Sequence, residues 1–285
     1  MPVEPPVISP IRLTDAYVLL GDGPITPIAG GTDLMVALTG ELGEPPERML
    51  DLWHLDELRG IAVDGDAVVL GALTTYTEIR HSALCREHLP ALVEAAATIG
   101  AAQIQNRGTI GGNAVNASPA GDTLPLLLAL DATLVCGSAR GEREVPATSF
   151  WPAYRRTALA QDELLLRIRF PLSSGREIRF RKIGTRRAQS ISKVVMALGY
   201  RTAGPGGAWS DVRLALGSVA PTPIRANATE AVLEDRSPTP ETADRAAETL
   251  AGELQPIDDV RSTAEYRRVV AARVVHRLVR EAGGW

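Results

Sequence analysis

Thr26-Pro27-Ile28-Ala29-Gly30-Gly31-Thr32-Asp33-Leu34-Met35-Val36-Ala37-Leu38 is the stretch on which the reading of this chain turns. Its first four residues read as the end of a short strand. Gly30-Gly31 then turns the chain, and Thr32-Asp33 can cap a helix through Leu34, Met35, Val36 and Leu38. After the Pro45-Pro46 break, Arg48-Met49-Leu50-Asp51-Leu52 reads as a second strand. Strand, turn, helix and strand in this order make a βαβ unit, so the first sixty residues read as a small α/β subdomain. Paired glycines allow positive φ and leave no side chain in the way. Backbone N–H groups can then converge on an anion, although an ordinary tight strand-to-helix turn has the same residues.

Downstream the texture changes. Ile61-Ala62-Val63 and Val68-Val69-Leu70-Gly71-Ala72 flank Asp64-Gly65-Asp66 and read as a β-hairpin. Residues 74–80 start a helix with Thr75 and Glu78 in capping-box spacing, and residues 89–99 form a second, alanine-rich one. Residues 100–122 are rich in glycine and polar groups. They carry a second glycine pair, Thr109-Ile110-Gly111-Gly112-Asn113, followed by Ser118-Pro119-Ala120-Gly121-Asp122. Asp122 is the single acid between residues 95 and 122. It cannot help to bind phosphate, because like charges repel, but it can accept from a ribose hydroxyl or another neutral donor. It can equally cap the apolar helix read over residues 124–130. Two Gly-Gly loops and one acid fit a pyrophosphate held by backbone amides, and a dinucleotide better than a mononucleotide.

Residues 133–136 and 143–145 read as strands around a Gly137–Gly141 turn. Residues 164–170, 178–183, 194–201 and 212–219 read as an antiparallel meander, followed by helices over 226–234, 240–254 and 265–281. The fold class is therefore α+β.

The chain has 285 residues, which at ~150 per domain makes about two domains. Hydrophobic residues are 45% and charged residues 22%, ordinary for a globular protein. A net charge of −4 points to neither nucleic acid nor an anionic membrane surface. Aromatics at 4% argue against base stacking as a binding mode. The start, Met1-Pro2-Val3-Glu4, lacks a basic and an apolar leader region, and the cytoplasm is the expected address. Cys85 and Cys136 cannot supply four thiolates for an iron–sulfur cluster, so an electron carrier bound here is organic or sits on another chain. His54, His81, His88 and His276 are scattered, and no metal site is expected. The chain has no P-loop, no G-x-G-x-x-G fingerprint and no serine nucleophile elbow.

The two glycine loops resemble the flavin-binding loops of the molybdenum hydroxylases, specifically the FAD-binding (medium) subunit of the xanthine dehydrogenase and carbon monoxide dehydrogenase type. Further segments resemble that family in order: Gly71-Ala72-Leu73-Thr74-Thr75, Phe180-Arg181-Lys182-Ile183-Gly184, Arg186-Arg187-Ala188, Ile191-Ser192-Lys193-Val194, Gly217-Ser218-Val219-Ala220-Pro221-Thr222-Pro223, and residues 259–267 with Ser262, Glu265, Tyr266 and Arg267. The resemblance implies a two-subdomain FAD-binding fold of the vanillyl-alcohol oxidase/PCMH type over residues 1–165 (subdomains about 1–60 and 61–165). A C-terminal domain of antiparallel sheet and helix bundle would span residues 166–285. It implies noncovalent FAD here, molybdopterin on a large partner subunit and [2Fe–2S] clusters on a small one, in a dimer of heterotrimers. Electrons would reach the FAD from the clusters and pass to NAD⁺ or another acceptor.

By the same resemblance, Pro27, Ile28, Ala29, Gly30, Gly31, Thr32, Asp33 and Leu34 would wrap the pyrophosphate, and Thr109, Ile110, Gly111, Gly112 and Asn113 would close over it. Asp122 would bond the adenosine portion. Lys182 would place a positive charge near the flavin, unless it is a strand-surface lysine. Ile99 and Leu159 would pack against the isoalloxazine, or belong simply to the core. The segment Phe150-Trp151-Pro152-Ala153-Tyr154-Arg155-Arg156-Thr157-Ala158-Leu159 is most similar to the xanthine dehydrogenase branch. That favours a purine hydroxylase over carbon monoxide, aldehyde or N-heterocycle dehydrogenases. Two readings of other classes stand beside this one: a self-sufficient flavin reductase and a non-catalytic nucleotide-binding module.

Overall fold

The computed structural model describes residues 5–40, 44–172, 175–186 and 189–285. The Met1–Glu4 start and the Arg187-Ala188 part of the resemblance lie outside the described residues.

The chain opens with β1 (Val7–Ile8) and α1 (Leu13–Gly21), then β2 (Thr26–Ile28), α2 (Leu34–Thr39) and β3 (Met49–Asp51). These strands form a small parallel sheet in the order β1-β3-β2, with Pro27 opposite Leu50 and Ile28 opposite Asp51. The βαβ reading of residues 26–52 is therefore realised. The strand and helix before it carry little pattern: β1 has two residues, and α1 buries only Ala16 and Leu20.

The hairpin β4 (Ile61–Asp64) and β5 (Ala67–Gly71) follows. Next come α3 (Tyr76–His81), α4 (Ala83–His88), α5 (Pro90–Ala96), α6 (Ala102–Arg107), α7 (Ile110–Asn116) and α8 (Leu124–Ala129). The α3 capping box is present: the Glu78 N–H donates to the Thr75 hydroxyl and Glu78 accepts from the Thr75 N–H. The alanine-rich helix stops at Ala96 rather than at residue 99, and the carbonyls of the three residues after it are taken by side chains described below. The glycine-rich segment contains two further short helices. The second is capped by Thr109, whose hydroxyl accepts from the Gly112 N–H.

β6 (Thr133–Ser138), β7 (Gly141–Pro146), α9 (Ala147–Phe150) and β8 (Leu164–Pro171) complete a five-stranded sheet in the order β4-β5-β8-β6-β7. Strand β8 does not open the C-terminal meander, as its place in the sequence suggests. Instead it runs antiparallel between β5 and β6, with Ile168 opposite both Leu70 and Leu134. Its alternation marks a strand buried on one face, but it does not say which sheet receives it.

The C-terminal sheet is β9 (Glu177–Ile183), β10 (Val194–Thr202), β11 (Trp209–Gly217) and β12 (Ile224–Arg225), in the order β12-β11-β10-β9. The helices α10 (Asn227–Leu233), α11 (Pro240–Glu253) and α12 (Ala264–Gly283) cover one face. The period of two in β10 assigns its two faces. Val194, Met196, Leu198 and Tyr200 pack under the helices, whereas Val195 and Ala197 join the core of the preceding domain around α5 and α8. This sheet is buried on both sides, and its second face fixes the C-terminal domain against the rest.

Arg176 strengthens the junction. It bonds Asp131 after α8 at 2.5 Å, Asp211 at 2.9 Å and the Ala129 carbonyl at 3.4 Å. Arg213 and Arg225 also reach Asp131, at 3.2 and 3.5 Å.

Candidate functional site

A cleft of about 1760 Å³ runs between the glycine loops and the edge of the C-terminal sheet. It exceeds the ~300–1,000 Å³ of ordinary small-molecule pockets, as a long ligand requires. Residues Pro27 through Leu34 line it, as do Ile99, Thr109, Gly111, Gly112, Asn113, Asp122, Leu159 and Lys182. Of the residues expected at the site, only Ile110 is placed elsewhere. It points into the core, fully buried.

The two loops offer different chemistry. The N–H groups of Ala29, Gly30, Gly31, Thr32 and Asp33 donate to no acceptor among the described residues. Such a run of free amides is a nest for an anion. Gly31 has φ +74°, the left-handed conformation that opens the turn. Gly30 serves packing instead: a Cβ there would overlap the backbone carbonyl of Arg107 at the end of α6. The expected Asp33 cap is not made, since its side chain accepts no bond from α2. Burial pushes the Asp33 carboxyl up, against the pull of Arg155.

In the second loop four of the five amides, all but that of Thr109, are already used. Ile110 N–H donates to Thr74 O at 3.0 Å, Gly111 N–H to Ala72 O at 3.0 Å and Asn113 N–H to Thr109 O at 3.0 Å. Gly112 N–H donates to the Thr109 hydroxyl. An amide cradle on both sides is therefore corrected to one on the first loop, with the second offering only the Thr109 N–H. The second loop lies close to it: a Cβ on Gly112 would stand 3.9 Å from that of Ala29. Its other group for a ligand is the Asn113 side-chain amide, whose Oδ1 already accepts from Thr123 at 2.8 Å.

At another part of the cleft, Lys182 on β9 meets Asp122 before α8, Nζ to Oδ2 at 2.6 Å. Lys182 Nζ also donates to the Thr98 carbonyl at 3.1 Å, and the Ser192 hydroxyl donates to Asp122 Oδ1. The Lys182 side chain is 4% exposed, which removes the strand-surface alternative. The helix-cap alternative for Asp122 also falls: the cap position of α8 is Thr123, with no side-chain cap bond. Burial pushes the Asp122 carboxyl up, opposed by the ammonium and hydroxyl beside it. The resemblance puts Asp122 and Lys182 at opposite ends of a dinucleotide. At 2.6 Å they stand at one place in the cleft. Neither the pairing nor the part played by the Thr98 carbonyl has a signal in the sequence, because sixty residues separate the two side chains.

Ile99 and Leu159 are partly buried and pack on the edge of the main core, with a face toward the cleft. Leu159 stands on a segment anchored by Trp151, whose Nε1 donates to Ala114 O at 2.9 Å, and by Arg143, which donates to Ala158 O at 2.6 Å. Arg155 on that segment also lines the cleft and donates to Asn116 at 3.2 Å.

The residues present fit a bound FAD. A free amide run suits its diphosphate, apolar walls suit a flat ring, and a buried donor–acceptor pair suits polar ring edges. Two buried side-chain polar atoms lack partners among the described residues, Tyr76 Oη and Arg267 Nε, and both residues line the same cleft.

Residues 3–173 match the family described as the FAD binding domain in molybdopterin dehydrogenase, and residues 179–282 match the CO dehydrogenase flavoprotein C-terminal domain. The chain is 31% identical to the carbon monoxide dehydrogenase medium chain of Hydrogenophaga pseudoflava, over 96% of this chain and 95% of that one. It is 32% identical to the xanthine dehydrogenase FAD-binding subunit of Escherichia coli O157:H7, over 95% of each. It superimposes on reconstituted CO dehydrogenase from Oligotropha carboxidovorans with a TM-score of 0.93 at 29% identity, covering 100% of this chain and 99% of that one. Free amides on one glycine loop, a buried acid–lysine pair and this likeness along both domains converge: the chain belongs to the family of FAD-binding medium subunits of the molybdenum hydroxylases.

Proposed function

We propose that the chain holds FAD noncovalently along this cleft and carries electrons between an iron–sulfur partner subunit and an external acceptor. The diphosphate is held by the amides of Ala29 to Asp33, with Thr109, Gly112 and Asn113 opposite. The isoalloxazine lies toward Ile99, Leu159 and the Asp122–Lys182 pair. This revises the adenosine role given to Asp122, since its partner Lys182 is tethered through Thr98 to the segment bearing Ile99. The FAD-binding domain extends through β8 to about residue 172, and the C-terminal domain begins with β9.

FAD, when bound, supplies storage of two electrons that enter singly and leave as a pair. The protein's part is to hold and polarise. Lys182 Nζ has three donors and spends two, on Thr98 O and Asp122, leaving one for a ring carbonyl oxygen. Each Asp122 oxygen keeps a lone pair for a ring N–H. The ammonium is neutralised by its partner, so the pair stabilises a reduced ring by directed hydrogen bonds more than by net charge.

The observation that carries this reading is that five uncommitted amides and the buried Asp122–Lys182 pair line one cleft. The large and small subunits of a molybdenum hydroxylase are the implied partners, in a dimer of heterotrimers, with NAD⁺ as the favoured acceptor. Segment 150–159 favours a purine hydroxylase. Carbon monoxide, aldehyde and N-heterocycle oxidising complexes are the second reading, supported by relatives of similar identity named for carbon monoxide, glyceraldehyde and nicotine. Co-purification with the partners, cofactor analysis and a substrate panel test it. Purine-dependent flavin bleaching only in the presence of the partners is expected. Rapid turnover of a substrate by the isolated chain would instead favour a self-sufficient flavin enzyme.

A further inference from the structure

Three consecutive carbonyls leave the end of α5, those of Ala97, Thr98 and Ile99, and all three accept from side chains. Lys182 takes the middle one. Gln105 on α6 takes the outer two, donating from Nε2 to Ile99 O at 3.0 Å and Ala97 O at 3.5 Å. Gln105 is 4% exposed and does not line the cleft, whereas Ile99 does. Its amide cannot turn over. Arg80 on α3 donates to Gln105 Oε1 at 2.5 Å, and a guanidinium has no acceptor to offer, so the NH₂ must face the two carbonyls. The turn that follows has little freedom. Gly100 has φ +52°, and a Cβ there would stand 2.5 Å from the Ile104 Cβ.

We propose that Gln105 is a positioning residue for the flavin. By clasping the Ala97 and Ile99 carbonyls against Lys182's hold on Thr98, it sets where the Ile99 wall stands against the isoalloxazine. The inference rests on the FAD reading above. Its rival is a purely structural tether that satisfies the carbonyls of the turn after α5.

The two separate experimentally. Gln105→Glu keeps an acceptor for Arg80 but points oxygen at the carbonyls, while Gln105→Met fills similar space without burying a charge. Both are reconstituted with FAD beside the wild-type chain. Expected are one FAD per chain, a moved flavin midpoint potential, an altered visible circular dichroism band, and reoxidation of the reduced flavin by a dye acceptor slowed about tenfold. Arg80→Met, which leaves the amide in place, is expected to change these less. A lower melting temperature with unchanged potential, dichroism and reoxidation rate would reduce Gln105 to the tether. Should the Glu variant not fold, the Met variant separates the two roles by the same measurements. Flavin content of the wild-type chain reports separately on the FAD reading itself.

Discussion

Lys182 and Asp122 meet at 2.6 Å across the boundary between the two domains, one on the first strand of the C-terminal sheet and the other before α8. The seat proposed for the flavin is therefore assembled from both domains. The same lysine reaches Thr98 O, so the C-terminal sheet also holds the segment that ends in Ile99.

Breaking this pair from one side should cost more than removing it. Lys182→Met leaves a buried carboxylate with only Ser192, a loss of about 3–5 kcal/mol for an uncompensated buried charge. The double variant Lys182→Met/Asp122→Asn should recover much of that, as read by denaturant unfolding. In the single variant, burial holds the Asp122 carboxyl above its unfolded value with no ammonium to oppose it. The folded state then binds the extra proton, and stability falls as pH rises through the folded pKa. A stability of the single variant that does not fall as pH rises from the ordinary carboxyl range, about pH 4, would contradict this.

The glycines separate by mechanism. Gly30→Ala and Gly111→Ala drive a Cβ into backbone, the carbonyl of Arg107 and that of Ala72, the latter at 2.5 Å. Each should lose about 1–3 kcal/mol of stability from overpacking, and FAD with it. Gly31→Ala meets only side chains, at 3.2 Å, but must hold φ +74°, so it should cost about 1–2 kcal/mol. Thermal melts with and without FAD check the order.

Asp131→Ala removes the acid shared by Arg176, Arg213 and Arg225 at the domain junction. Asp131 is about one third exposed and Arg176 retains Asp211. The loss should therefore be about 2–3 kcal/mol, below that of a fully buried pair, as read by denaturant unfolding. Asp131 also holds φ +50°, so Asp131→Asn, which tolerates that conformation, isolates the charge.

Glu163 lines the cleft and is gripped by Arg143 through two bonds of 2.7 Å, which hold its carboxyl below the usual glutamate range. That stabilisation is complete above the unfolded pKa and is lost as pH falls through the folded one. The stability gap between wild type and Glu163→Gln should accordingly shrink between about pH 5 and about pH 3. A gap independent of pH would overturn it.

Local chemistry is legible where the chain satisfies it locally. The Gly30-Gly31 turn between β2 and α2, the Thr75–Glu78 capping box and the 61–71 hairpin each depend on neighbours in sequence. Helices α6 and α7 are not legible, because six or seven residues show too little periodicity and α7 is held by bonds back to Ala72 and Thr74. The sheet that receives β8, the committed amides of the second loop and the Lys182–Asp122 contact all depend on which distant segments meet, and alternation or spacing does not encode that. Among the described residues no helix is long and apolar enough to cross a membrane.

FAD binding in the cleft built by Ala29–Asp33 and the Asp122–Lys182 pair underlies every role proposed above. Spectroscopy of the purified, FAD-reconstituted chain, followed by denaturation and quantification of released cofactor, measures this directly. The expected result is a yellow protein releasing one FAD per chain, with the content falling sharply in Gly30→Val and Asp122→Ala. A colourless chain that takes up no FAD, or full flavin content in both variants, would contradict it.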